Sequence, residues 1–151
     1  MPALRFLPTL ALAIALPLQA ADWHEAGTVM ERGITVYVDH ASAKVDHDII
    51  AQGWVRFDYL KPQPVDGRPL FRHTSLRMAN CDSHRYWVSE AWGYPADGGN
   101  PVQLATGSQE WQLPVPDSES EMAVQALCNE TRSIFGTMWG IVKGALMLGN
   151  N

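Results

Sequence analysis

Hydrophobic and polar positions alternate with period two through much of the chain. In ITVYVD, Ile34, Val36 and Val38 point one way, so Ile34–Asp39 is expected to be a short strand. Val55, Phe57 and Tyr59 alternate with Trp54, Arg56 and Asp58. This predicts a long strand over Asp48–Leu60 with one buried face and a bulge at Gly53. Pro62, Pro64 and Pro69 cannot donate to a ladder and Asp66-Gly67 is a turn dipeptide, so Lys61–Pro69 is expected to be a loop. Strand pattern resumes over Leu70–Cys81 and again over His84–Trp92, and the short Asp82-Ser83 connection predicts an antiparallel pair. Gly93–Pro101 is dense in turn residues and reads as a loop. Val102–Thr106 reads as a short strand, and the prolines hold Trp111–Pro116 extended. His40–His47 reads as a polar turn, and Trp23 as an edge anchor.

The period changes after Pro116. Asp117-Ser118 can cap a helix, and Ser118 with Glu121 makes the S-x-x-E capping box. Met122, Ala126 and Leu127 share one face of that helix, and Cys128 ends it. The pattern therefore predicts an α+β domain: an antiparallel β-sheet meander with a disulfide-linked C-terminal helix, plus an apolar C-terminal tail helix. That tail, Ile134–Leu148, carries Lys143 as its only charge, and Gly136, Gly140 and Gly144 form a stripe beside Trp139. At 1.5 Å per residue it spans about 22 Å, short of the roughly 30 Å hydrocarbon core of a bilayer. Three roles stay open for it: packing on the domain's own sheet, self-association into a homodimer, or contact with a membrane surface.

The ends of the chain change the picture further. Arg5 followed by the apolar run Phe6–Leu18 and the small-residue site at Ala20 reads as a secretory signal peptide over residues 1–20, with an uncleaved anchor as the alternative. The organisation expected is thus signal peptide 1–20, domain 21–129 and tail 130–151. Without Arg5 the chain holds ten bases against sixteen acids, a net charge of −6, which argues against nucleic acid as a partner. In an exported chain two cysteines most simply form one disulfide, Cys81–Cys128; a reactive or metal-binding thiol pair would want a C-x-x-C spacing that is absent.

Four motifs then fall in order: VYVD (36–39) with Ser42 and Lys44, WVRFDYLKPQ (54–63), SLRMANC (75–81), and WQLPVPDS (111–118) leading into the helix that stops at Cys128. Their order and spacing resemble the surface-adhesin protein E-like family of exported bacterial domains, over roughly Trp23–Cys128. The resemblance implies an antiparallel sheet with a disulfide-held C-terminal helix, export toward the envelope, and binding of protein partners. The name-giving member binds host matrix and plasma proteins such as vitronectin, laminin and plasminogen. Two departures stand out. The chain has no lipobox cysteine, which points to a periplasmic location rather than surface display, and its glycine-striped tail lies outside the family pattern.

Candidate chemistry is sparse. Arg56, Arg72, Arg77 and Arg85 fall on three neighbouring strands. If they share a face with Trp87 they form a cationic strip able to bind an anionic glycan, a carboxylate or an acidic peptide; the plainer alternative is cross-strand pairing with Asp58 and Glu90. His40, Asp46, His47 and Asp48 cluster in sequence and offer metal-ligand chemistry, but a solvated turn explains them as well, and no metal or cofactor is assigned. His73 and His84 near Ser75 and Ser83 match no nucleophile elbow, and His73 reads as a sheet-surface residue. The reading reached is a non-enzymatic, exported envelope protein that acts by protein–protein binding in the periplasm or outer envelope. Its contacts would run through Arg56, Arg72, Arg77, Arg85 and Trp87, the Lys61–Pro69 and Gly93–Pro101 loops, and a tail surface of Gly136, Trp139, Gly140 and Gly144. The alternative is a periplasmic small-ligand or metal-binding module.

Overall fold

The computed structural model describes residues 20–46, 49–65, 67–104, 106 and 110–132. The tail helix expected over Ile134–Leu148, with Gly136, Trp139, Gly140 and Gly144, lies outside the described residues. So do His47 and Asp48 of the histidine–aspartate cluster.

Among the described residues seven strands form one antiparallel sheet: β1 (Trp23–Val29), β2 (Ile34–Asp39), β3 (Lys44–Asp46), β4 (Ile50–Val65), β5 (Arg68–Asn80), β6 (Arg85–Pro95) and β7 (Val102–Gln103). They lie in the order β1-β2-β4-β5-β6-β7. β2 and β3 both pair with β4, at different points along it: Ile34–Val38 against Tyr59–Val55, and Lys44–Asp46 against Gln52–Ile50. Helix α1, residues 119–132, crosses one face of this sheet. The expected meander with a C-terminal helix is what the chain forms.

Alternation decides what the helix covers. Ile34, Val36 and Val38 from β2, Ala51, Val55 and Phe57 from β4 and Ala79 from β5 are buried together with Ala123, Val124, Leu127 and Cys128 from α1. A smaller cluster, Leu70, Ala91 and Leu104, extends the same layer toward β6 and β7. Cys81 and Cys128 form the disulfide, with Cα atoms 5.6 Å apart, and it joins the end of β5 to the helix. Ser118 caps the helix by accepting from the Glu121 N–H at 3.3 Å. The Glu121 carboxylate reaches back one residue further than in the usual box, to the Asp117 N–H at 2.7 Å.

Several expectations are corrected. Lys61–Pro69 is no loop: β4 and β5 continue as a hairpin, with Gln63 opposite Leu70 and Val65 opposite Arg68, closing at Gly67 with φ +73°. Pro62 and Pro64 are tolerated because β2 starts opposite Tyr59, leaving the far end of β4 an edge that needs no donor on that side, and because the register shifts between Asp58 and Gln63. Gly53 is not at a bulge, since Gln52, Gly53 and Trp54 pair in continuous register with Met78, Arg77 and Leu76. A Cβ there would sit 2.8 Å from Leu127 Cδ1 and 3.4 Å from the Ala43 backbone, so Gly53 marks where the helix comes closest to the sheet. Gly93 belongs to β6, under Leu70 and Leu104, and the loop begins only at Ala96. Within the expected polar turn, Lys44–Asp46 pairs as β3, and Val102–Thr106 shortens to Val102–Gln103. The helix does not stop at Cys128; Thr131 is buried and its hydroxyl donates to the Leu127 and Cys128 carbonyls.

Two stability outcomes follow from this packing. Cys81 and Cys128 are 47 residues apart, and closing a loop of that length stabilises the folded chain by about 4 kcal/mol in the chain-entropy picture. The Cys81→Ser/Cys128→Ser variant is expected to lose about that much in urea unfolding; a loss under about 1 kcal/mol contradicts it. Gly53→Ala is expected to cost about 1–3 kcal/mol by overpacking against Leu127, read as a lowered urea midpoint at unchanged slope.

Candidate functional site

The face of the sheet away from α1 has no second layer among the described residues, and its alternate positions are large. Register places Trp23 beside Asp39, Tyr37 beside Arg56, Arg56 beside Thr74, and Thr74 beside Trp92. Asp58 stands beside Arg72, and Arg72 beside Tyr94. Near the start of the domain this face sinks into a groove of about 580 Å³ lined by Trp23, Asp39, Ser42, Trp54, Thr74, Trp92 and Tyr94.

The groove is held by polar contacts under its rims. The Trp92 indole N–H donates to Glu90 Oε1 at 2.6 Å. Asp39 is buried and accepts from the Asp22 and Ala41 backbone N–H groups at 2.7 and 3.2 Å. Ser42 accepts from the Trp54 N–H at 3.0 Å. Beside the groove the Arg56 guanidinium lies over Tyr37 at 4.0 Å and over Trp23 at 4.9 Å from the ring centroids. Its Nε is buried and has no hydrogen-bond partner among the described residues; Asp58 Oδ1 is 3.5 Å away. Arg72 grips the same carboxylate with two bonds of 2.6 and 3.2 Å, a fork that raises the Arg72 pKa further.

The sequence-derived arginines are therefore split. Arg56 and Arg72 come together on the open face with Asp58 between them. Arg77 is on the opposite face, buried on the helix side, over Phe57 at 4.6 Å and Tyr86 at 5.1 Å, and its Nε donates to Ser75 Oγ at 3.0 Å. Burial pulls its pKa down to about 10, so it stays charged at neutral pH. Arg85 is exposed at the start of β6. Trp87 packs edge-on against Trp111 at 6.5 Å, where an isolated bridge pairs Tyr86 with Gln112. A single four-arginine strip does not form. Of its expected carboxylate partners, Asp58 pairs with arginine, while Glu90 accepts from Trp92.

His73 is also corrected. It is half-buried on the helix-bearing face, stacked on Phe57 at 4.3 Å with Nδ1 2.6 Å from the Tyr59 hydroxyl, and so is not an ordinary sheet-surface residue. Burial, with the Arg77 charge adding to it, pushes its pKa down to about 3. No serine nucleophile pairs with it among the described residues.

A second cluster was half visible in the sequence. His40 meets Glu130 and His24. The His40 Nδ1 bonds the Glu130 carboxylate, His24 Nδ1 is 3.6 Å from the same oxygen, and the two imidazoles stack at 5.1 Å. The bond to Glu130 raises the His40 pKa above its ordinary value. These three side chains could hold a metal ion, their donor atoms lying within 4.8 Å of one another. His24 and Glu130 escaped the sequence reading because β1 shows no apolar alternation and Glu130 was assigned to the tail.

The family model described as surface-adhesin protein E matches residues 23–129, a span that takes in all seven strands, both cysteines and the helix up to its last turn. The chain belongs to that family. No curated protein matches it.

A pH outcome comes from His73. The unfolded chain takes up a proton near pH 6.5, whereas the folded chain resists until about pH 3. The stability this residue contributes is thus present above about 6.5 and lost as pH falls toward about 3, at up to roughly 1.4 kcal/mol per unit. His73→Phe, which keeps the stack on Phe57, is expected to lose about 2–3 kcal/mol less than the parent between pH 6.5 and 4.5 in urea titrations. Equal losses contradict a buried neutral imidazole.

Proposed function

We propose that this member of the surface-adhesin protein E family acts after export as a non-catalytic binding module, holding a protein partner against the uncovered aromatic face of its sheet. The observation that carries the reading is the groove of Trp23, Trp54, Trp92 and Tyr94 beside the paired Arg56 and Arg72. Half-buried aromatics flanked by arginine are the residue types that dominate protein interfaces. Arg56 is already oriented by its two rings and Arg72 by Asp58, so little side-chain freedom is left to lose on binding.

Residues 1–20 serve as the export signal in this reading, 21–129 as the binding domain, and 130–151 as an accessory tail that meets a membrane surface or a second copy. No helix among the described residues is long and apolar enough to cross a membrane. The family resemblance supports host matrix proteins as partners, met after export toward the envelope. The family and the absence of a nucleophile–base pair among the described residues support binding over catalysis.

The test uses the purified exported chain, immobilised against vitronectin, laminin and plasminogen and against solubilised envelope proteins. A saturable protein partner is expected. Trp54→Ala/Trp92→Ala should weaken it at least about tenfold, the scale of an aromatic hot spot, while Arg85→Ala leaves it within about threefold. Equal binding by the tryptophan variant moves the contact elsewhere. Failure to bind any protein, together with reproducible turnover of a small molecule, ends the proposal.

A further inference from the structure

The geometry points to a zinc-class metal site formed by His24, His40 and Glu130, one that clamps the edge strand to the helix. The three ligands come from three separate elements: β1, the turn after β2, and the last turns of α1. Two imidazoles and one carboxylate thus meet at one point on the domain rim. Both Nδ1 atoms address the same carboxylate oxygen, and all the donor atoms lie within 4.8 Å of one another. Tetrahedral zinc with bonds of about 2.0–2.1 Å needs its ligands about 3.3 Å apart, so small side-chain rotations suffice.

The surroundings are those of a coordination site as well. Asp22 Oδ2 stands 3.4 Å from His24 Nε2, on the far side of the ring, where a carboxylate fixes the tautomer that leaves Nδ1 free to bind metal. The backbone is pinned where the ligands branch: the His40 N–H donates to the Asp22 carbonyl at 2.8 Å, and the Asp22 N–H to Asp39. His24 and His40 keep about half of their side-chain surface open to solvent, so an ion can enter, whereas Glu130 is largely covered. Two neutral nitrogens and one carboxylate suit zinc, nickel or copper and are poor for magnesium or calcium. The fourth position is left to a water molecule.

Isothermal titration of the untagged, metal-stripped full chain with zinc chloride at neutral pH tests the site. One saturable zinc per chain is expected, with little response to magnesium. His24→Ala and His40→Ala should each weaken it about a hundredfold or more, and Asp22→Asn about 10- to 100-fold, as loss of an outer-sphere carboxylate does. His84→Ala, in the β5–β6 turn, should change nothing. Should an alanine variant fail to fold, imidazole nitrogen shifts of the parent chain decide instead: zinc should move His24 and His40 together and leave His84 in place. Absence of saturable zinc binding, binding that survives the His24→Ala/His40→Ala double variant, or shifts confined to other histidines would each overturn the assignment.

Discussion

The structure depends on one contact: the seating of α1 across the middle of the sheet. Val124 and Leu127 fill the space over Val36, Val55 and Phe57, and the sheet gives way to them at Gly53, where a side chain would meet Leu127. A single helix is about 10 Å across, while the sheet is six strands wide with neighbours nearly 5 Å apart. One helix therefore cannot roof the whole sheet, and no second layer lies on the opposite face among the described residues. The disulfide matters because so narrow a roof buries few residues. The link at Cys128 holds the helix down at the end of β5, beyond the best of its apolar contacts.

Beneath that roof the core is less apolar than its neighbours. Arg77 lies between Phe57 and Tyr86, and His73 lies flat on the same Phe57 ring. The ring faces hold the guanidinium by cation–π attraction, worth up to about 2 kcal/mol when water is excluded. The neighbouring imidazole must then stay neutral, since a second cation beside Arg77 would meet both its charge and the low-dielectric wall. Tyr59, pushed up to about 12 mainly by burial, stays a phenol and shares a hydrogen bond with His73. Burial first, and the Arg77 charge second, thus keep that imidazole neutral.

How much of this was legible depends on how regularly each segment repeats. β2, the first part of β4, β5 and β6 show clear alternation because one face of each is buried, and the capping box marks the helix start. β1 was invisible for the opposite reason: as an edge strand it is wet on most positions, with only Trp23, Gly27 and Val29 partly buried. The hairpin at Gly67 was hidden by prolines, which do break strands in a sheet interior, but Pro62 and Pro64 sit here on the free edge of β4 and Pro69 near the start of β5. Gly53 and Gly93 were misread because a glycine under a close-packed side chain looks, in sequence, the same as one in a bend. The arginines could have been sorted further. Arg72 and Arg77 are five apart on one strand, and an odd spacing puts them on opposite faces.

That parity argument also explains why the open face has the composition it does. A strand that buries Val55 and Phe57 must present Trp54, Arg56 and Asp58 on its other side, and the same holds for Tyr37 between Val36 and Val38. Solvent alone would be served by lysine and threonine at these positions. Aromatic and guanidinium groups there gain little from water and a good deal from each other, as the stacking of Arg56 on Tyr37 and Trp23 shows. Such a surface stabilises the free domain by covering itself, yet it keeps half-buried rings on the face away from the helix. The open face is thus the self-covering side of a thin sheet, and the helix packed on the other side holds the strands that present it.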